Sequence, residues 1–338
     1  MTLISWWPVR GIVLAVTVLV GLLLLRYARR YLTILFAMVV FAAFVTADLL
    51  LAQNAYYGTY PTVRAWLEDT PADEVKEPLP AAPDQGMILP VRIAGERSGF
   101  AARPALVYLP RAWSAQPRPA LPVLMLLHAS PGMPQEWIDG AQVAQVAQAW
   151  AQRNGGVAPV LVMPDVTGEA GLGVCADTAA GNVETYLAGD VPAFLQEEFG
   201  TAAPGAKWAV AGHGSGGTCA VTLALRHPDL FPTFAAFGAT ATVTDPQHDP
   251  VMLLAGRTYP DSAAWLADTD PPAGVTAQLV GLARGAGVAA CQVTRAGAPP
   301  GLATWGTQLA EALPWLAART GLVPETPEML AVCAPLTG

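Results

Sequence analysis

The sequence predicts an α/β domain whose mostly parallel sheet is covered by helices on both faces, preceded by an N-terminal two-helix transmembrane hairpin. Two observations predict the domain: continuous apolar runs of buried-strand type, such as LPVLMLLHAS (Leu121–Ser130), and their alternation with amphipathic helical stretches. A third predicts the hairpin: two long apolar runs crowd the first fifty residues.

The 338 residues are 53% hydrophobic and only 13% charged, apolar for a soluble chain. Much of that excess lies in residues 1–55, which leaves the remainder free to be a water-soluble domain with ample core. The formal net charge is −8. Residues 1–55 carry four arginines (Arg10, Arg26, Arg29, Arg30) and one acid (Asp48), so the rest holds 14 basic and 25 acidic residues, a net −11. An acidic body without a basic stripe excludes nucleic acid as the expected partner and argues against docking that body on an anionic membrane.

Taken in order, GIVLAVTVLVGLLLL (Gly11–Leu25) and YLTILFAMVVFAAFVTADLLLA (Tyr31–Ala52) approach the roughly 17–25 apolar residues of a spanning helix, the first with Trp6–Arg10 included. RYARR between them places the connecting loop on the cytoplasmic side, so both ends of residues 1–55 point outward. The other reading of this region is a signal peptide followed by an apolar core helix; it too exports the body. The expected location is therefore the plasma membrane, with the lipid bilayer held by residues 1–55 and the C-terminal domain extracytoplasmic.

Residues 56–86 read as a linker, rich in Pro and acids over EDTPADEVKEPLPAAPDQG (Glu68–Gly86). The domain is expected over 87–325, with a tail at 326–338. GMILPVRIAG and RPALVYLPRAW open it as an antiparallel pair. LPVLMLLHAS, APVLVMPDV, KWAVAGH and TFAAFGA follow as strands, with helices at AQVAQVAQAWAQRNG, Asn182–Gly200, GGTCAVTLALRHPDLF and TQLAEALPWLAART. Cys175, Cys219, Cys291 and Cys333 all fall in the exported part, an even count that suggests two disulfides; spacing alone leaves three pairings open. No CxxC or His/Cys cluster suggests a metal, and no cofactor is expected.

The chemistry centres on WAVAGHGSGG (Trp208–Gly217). A strand, a glycine-flanked turn and a helix form the nucleophile elbow of an α/β hydrolase, G-x-S-x-G, whose tip residue is held in a strained backbone conformation. Counting inward from Gly212 and from Gly216–Gly217 puts the tip at Gly214. Ser215 stands one place late. A slip of one residue would rotate the following helix by roughly 100° and misplace its buried face.

The domain resembles the esterase family of actinobacterial envelopes, membrane-anchored and related to the mycolyltransferases. The likeness is carried, in order, by SGFAARPALVYLP, LLHASPGMPQEW, CADTAAGNVETYLAGDVPAFL, GGTCAVTLALRHPDLFPTF and ALPWLA. The resemblance implies an α/β-hydrolase fold, a Cys175–Cys219 pair that leaves Cys291 with Cys333, and a Ser–acid–His triad. The elbow position is Gly214, the acid falls at Asp268 or Asp270, and the histidine belongs in RAGAPPGLATW (Arg295–Trp305), which has none.

Four histidines exist: His128, His213, His227 and His248. His128 precedes ASPG, the stretch that resembles the oxyanion loop, and is expected to hold that loop. His213 flanks the elbow tip. His227 is expected to cap the carbonyls at the end of a helix. His248, on a loop, is the one that could reach the cleft from a non-family position.

Two of three triad positions therefore lack a suitable side chain. The expectation is a catalytically degenerate member acting as a binding or accessory module for an envelope lipid, glycan or membrane protein. Its binding positions would be His128, Ala129, His213, Gly214, Ser215 and Gly216, roofed by Met252–Asp261. The competing expectation is an active serine esterase or acyltransferase with Ser215 as nucleophile, helped by Asp270 and His248. A third is a structural envelope subunit in which the hairpin is the working part.

Overall fold

A computed structural model describes residues 7–27, 31–57, 86–168, 175–179, 181–240, 245–270, 272, 274–327 and 329. The chain divides into two units, Met1–Asp69 and Thr70–Gly338. Residues 58–85 of the expected linker, and 328 and 330–338 of the expected tail, lie outside the described residues.

In the first unit, α1 (Trp7–Tyr27) and α2 (Tyr31–Tyr57) pack against each other. Apart from a half-buried stripe on each helix, Val13, Thr17, Val20 and Leu24 on α1 and Ala37, Val40, Phe44 and Asp48 on α2, their apolar side chains are exposed; Ile12 is 63% and Phe36 68% exposed. Arg10 Nε lies 3.2 Å from Asp48 Oδ1, joining the two helices. Among the described residues no helix is long and apolar enough to cross a membrane. The described side chains cover 10–24 and 34–50, stretches at or below the roughly 17–25 residues of a span. The predicted hairpin is present as two packed helices, and the predicted span is not shown by them.

The second unit holds an eight-stranded sheet. Its strands are β1 (Met87–Val91), β2 (Ala105–Leu109), β3 (Val123–Leu127), β4 (Val160–Met163), β7 (Trp208–His213), β8 (Thr233–Phe237), β9 (Ala263–Asp270) and β10 (Ala289–Ala296). A two-stranded ladder, β5 (Asp177–Thr178) with β6 (Gly181–Asn182), stands apart from it. The sheet order is β1-β2-β4-β3-β7-β8-β9-β10. β2 is antiparallel to both β1 and β4, and every pair from β4 to β10 is parallel.

Parallel strands need cover on both faces, which is why VLMLL in β3 and WAVAGH in β7 are buried throughout. One face is covered by α3 (Gln135–Asp139), α4 (Val143–Arg153) and α10 (Leu302–Arg319), with Trp137, Trp150, Trp265 and Leu309 in that core. The other is covered by α6 (Val191–Phe199), α7 (Gly214–Arg226), α8 (Pro250–Gly256) and α9 (Thr276–Gly285), around Leu195, Leu223 and Leu279.

The helix predicted over 182–200 is broken into α5 (Val183–Thr185), a wide π turn at Tyr186–Asp190, and α6. The turn is where the buried Asp190 carboxylate leaves the helix to accept the amides of Arg97 at 2.9 Å and Ser98 at 3.1 Å.

Register places the site. Leu127 pairs with Gly212, His213 with Phe237, and Asp270 with Ala296. The loops after β3, β7, β9 and β10 therefore leave the same edge of the sheet, the carboxyl end at which open parallel sheets place their ligands.

Candidate active site

The elbow is built by close backbone approach. A Cβ on Gly212 would lie 2.1 Å from the Gly216 carbonyl oxygen, and one on Gly216 would lie 2.3 Å from that of His128 and 2.4 Å from that of Leu127. Side chains cannot occupy these flanks. Gly214, between them, has φ +55°, the left-handed conformation of an elbow tip, and α7 begins there. Ser215 is the second residue of α7 and has no left-handed φ. Gly214 is thus the tip, and its lack of a side chain leaves the strained position without a nucleophile.

Ser215 does touch the site. Its Oγ accepts a hydrogen bond from the Ser130 amide at 2.7 Å. Ser130 lies in the loop after β3, and that loop is firmly held. His128, fully buried, donates from Nδ1 to the Ala129 carbonyl at 2.7 Å, and its Nε2 accepts the Val166 amide at 3.1 Å. A ring nitrogen that accepts an amide N–H has no proton for a carboxylate, so the 3.3 Å contact of Nε2 with Asp165 Oδ1 is a close approach of two acceptors. Asp165 is held instead by Arg103, whose amide lies 2.8 Å and whose Nη2 2.7 Å from its carboxylate, and the same guanidinium donates to the Gly132 carbonyl at 2.7 Å. Burial would raise the Asp165 carboxyl, but the hydrogen bonds and charge of Arg103 outweigh burial and hold it well below the usual carboxylate range.

His213, at the end of β7, faces the α3 side. Its ring meets Trp137 edge-on at 4.9 Å, and Nε2 lies 3.3 Å from Glu136 Oε2 without hydrogen-bond geometry. Both residues are buried, 5% and 3% exposed. This is a packed position beneath the loop and the elbow.

Asp268 is buried near the end of β9, its Oδ1 accepting the Thr269 amide at 2.8 Å, while its carbonyl accepts Gln308 Nε2 at 2.8 Å. Asp270 closes the strand and is exposed. Gly297–Gly301, the loop after β10, contains no histidine, as the sequence already shows. Beyond it, Trp305 packs so closely over Gly238 that a Cβ there would lie 2.6 Å from the indole.

His248 does not join Ser215. Thr222 Oγ1 donates to the His248 carbonyl at 2.9 Å, and Thr222 lies seven residues further along α7 than Ser215, about 10 Å along the axis. Both ring nitrogens of His248 face carboxylates, Nε2 that of Glu184 at 3.0 Å and Nδ1 that of Asp245 at 2.8 Å. The improvised triad of Ser215, Asp270 and His248 is therefore not assembled. His227 is the C-cap of α7 through its amide, but its side chain meets Glu184 at 2.8 Å instead of capping carbonyls. The expected roof, Met252–Asp261, begins within α8, which packs on α7 and α9 with Leu253 and Leu254 buried.

Cys175 and Cys219 form a disulfide that ties the segment before β5 to the second turn of α7. Cys291 is also disulfide-bonded; Cys333 lies outside the described residues. Among the described residues no group of three His, Cys, Asp or Glu could hold a metal ion.

Sequence reasoning missed the Arg103–Asp165 pair and the Glu184 cluster of Arg226, His227 and His248. Only the charged types in otherwise apolar surroundings hinted at them.

Comparison with known proteins agrees with this fold. Residues 101–319 match the family model described as Putative esterase. An uncharacterised protein of Corynebacterium glutamicum is 32% identical over 198 residues, covering 54% of this chain and 46% of that one, so the match spans about half the length of this curated relative. Among solved structures, a ferulic acid esterase superposes with a TM-score of 0.60 at 18% identity, over 70% of this chain and 98% of its own. An S-formylglutathione hydrolase from Agrobacterium tumefaciens gives 0.58 at 17%, over 73% and 99%. FphF, a fluorophosphonate-binding serine hydrolase of Staphylococcus aureus, gives 0.54 at 16%, over 69% and 98%. The structural likenesses establish the fold. With the family model matching well over half of the chain, this protein belongs to the esterase family of the α/β hydrolases.

Proposed function

We propose that this esterase-like domain is catalytically degenerate and works as a binding or accessory module of the cell envelope. The observation that supports this most is Gly214: the elbow is kept to the φ of its tip, and the tip has no side chain. The missing histidine after β10 is an independent loss, far away in sequence. A triad without nucleophile and base leaves only the residual effect of binding and oxyanion groups. The bound partner would be an envelope lipid, glycan or membrane protein at the carboxyl edge of the sheet. The test is steady-state hydrolysis of p-nitrophenyl acetate and butyrate by the full chain in detergent. No turnover above a heat-inactivated control is expected; turnover abolished by Ser215→Ala would establish the competing reading, an active esterase.

The same reading places α1 and α2 in the plasma membrane with the domain outside. Their outward apolar side chains support it, as does the Arg10–Asp48 pair, because charges within a bilayer are tolerated when paired. Retention in the pellet after carbonate extraction, with the domain degraded by protease added to intact spheroplasts, is expected. Release by carbonate, or protection of the domain, would contradict it.

A further inference from the structure

In this fold the hole for a developing oxyanion is formed by the amide after the elbow tip and an amide of the loop after the third strand. Here the first is the amide of Ser215, and the loop amide that meets the start of α7 is that of Ser130. The second is already engaged, by the Oγ of Ser215 at 2.7 Å. A side-chain oxygen thus sits at the donor distance a ligand oxygen would need. We propose that Ser215 is a resident plug of the oxyanion hole, its hydroxyl occupying the place at the Ser130 amide that the oxygen of a carbonyl ligand would take. The proposal rests on reading Gly214 as the vacated tip.

The contact is built in. The start of α7 and the loop after β3 lie against each other, with the site of a Gly216 Cβ only 2.3 Å from the His128 carbonyl oxygen. The loop is pinned from behind by His128 on the Ala129 carbonyl and by Arg103 on the Gly132 carbonyl, each at 2.7 Å. The backbone of neither partner can shift without breaking these contacts. The chemical consequence follows from the engaged amide. While Ser215 Oγ holds it, the Ser130 N–H is not offered to a developing oxyanion, and the hole presents the Ser215 amide with a rotatable hydroxyl in place of two fixed amides.

The test restores a hydroxyl at the tip and then removes the plug. A Cβ at position 214 would lie 3.4 Å from the Ala129 Cβ, so Gly214→Ser fits the space available. Full-length Gly214→Ser and Gly214→Ser/Ser215→Ala are compared in single-turnover release of p-nitrophenolate from p-nitrophenyl acetate. The introduced hydroxyl attacks the ester carbonyl, the new C–O bond forms as the bond to p-nitrophenolate breaks, and the hydroxyl proton passes to water. Both variants lack a base and acylate slowly, so their ratio reads the hole. One oxyanion donor is worth about 10²–10³ in rate, so the double variant is expected to acylate at least about tenfold faster. Equal rates, or a slower double variant, would overturn the proposal. Should Gly214→Ser fail to accumulate, hydrogen exchange of the Ser130 amide decides: Ser215→Ala is expected to speed it at least about tenfold over wild type, and unchanged protection would overturn the plug. Turnover by the wild-type chain is a separate outcome. It would overturn the vacated elbow, and the Ser130 exchange would then still report on the plug.

Discussion

Glu184 and Arg226 are joined at 2.6 Å, and the same buried carboxylate receives His227 Nε2 at 2.8 Å and His248 Nε2 at 3.0 Å. One carboxylate thus clasps three segments: α5, the end of α7 and the loop before α8. Burial raises the Glu184 carboxyl, but hydrogen bonds from His227, Arg226 and His248 outweigh it and bring it down to about 2. A carboxyl lowered on folding stabilises the native state fully above its unfolded value, near 4.5, and loses that contribution as pH falls toward 2. Urea unfolding followed from pH 7 to pH 2 should show an acid limb in that window. Glu184→Gln should reduce it and lower stability at pH 7 by about 1 kcal/mol, because Arg226, 28% exposed, loses its carboxylate.

Arg103 and Asp165 support the loop that faces the elbow. Asp165 is fully buried, so Arg103→Ala would strand a carboxylate in the core. A loss of about 3 kcal/mol is expected in denaturant titration. Arg103→Ala/Asp165→Asn should recover part of it. A double variant less stable than the single would contradict the pairing.

The elbow glycines differ in what they tolerate. Gly216→Ala drives a methyl to 2.3 Å from the His128 carbonyl oxygen and should prevent folding or lower Tm by more than about 10 °C. Gly214→Ala meets only the Ala129 Cβ at 3.4 Å, and its cost of about 1–2 kcal/mol comes from φ +55° alone. Thermal unfolding of the two variants side by side checks this order.

The Cys175–Cys219 bridge closes a loop across a sequence separation of 44. Loop-closure entropy gives such a bridge about 4 kcal/mol, so Cys175→Ser/Cys219→Ser should lower the urea midpoint and steepen the slope, because the unfolded chain is freed to expand. An unchanged midpoint would show that the reduced chain is already constrained there.

The parallel sheet was legible because its strands are unbroken apolar runs: β3 and β7 need burial on both faces, and their sequences say so. The elbow register was legible because Gly212 and Gly216 are forced by backbone approach, which fixes Gly214 between them whatever the neighbouring serine suggests. The contacts that qualify the site were not legible. Ser215 meets Ser130 across 85 residues and Arg103 meets Asp165 across 62, pairings that no local period encodes. His248 shows the opposite failure. Its loop position suggested access to the cleft, yet Glu184 and Asp245 draw it to the flank of α7.

The most direct measurement is labelling of the wild-type chain with a fluorophosphonate probe, with adducts mapped by peptide mass spectrometry. A vacated elbow predicts no adduct on Ser215, alongside normal labelling of an active serine hydrolase in the same tube. A stoichiometric adduct on Ser215, prevented by Ser215→Ala, would contradict it.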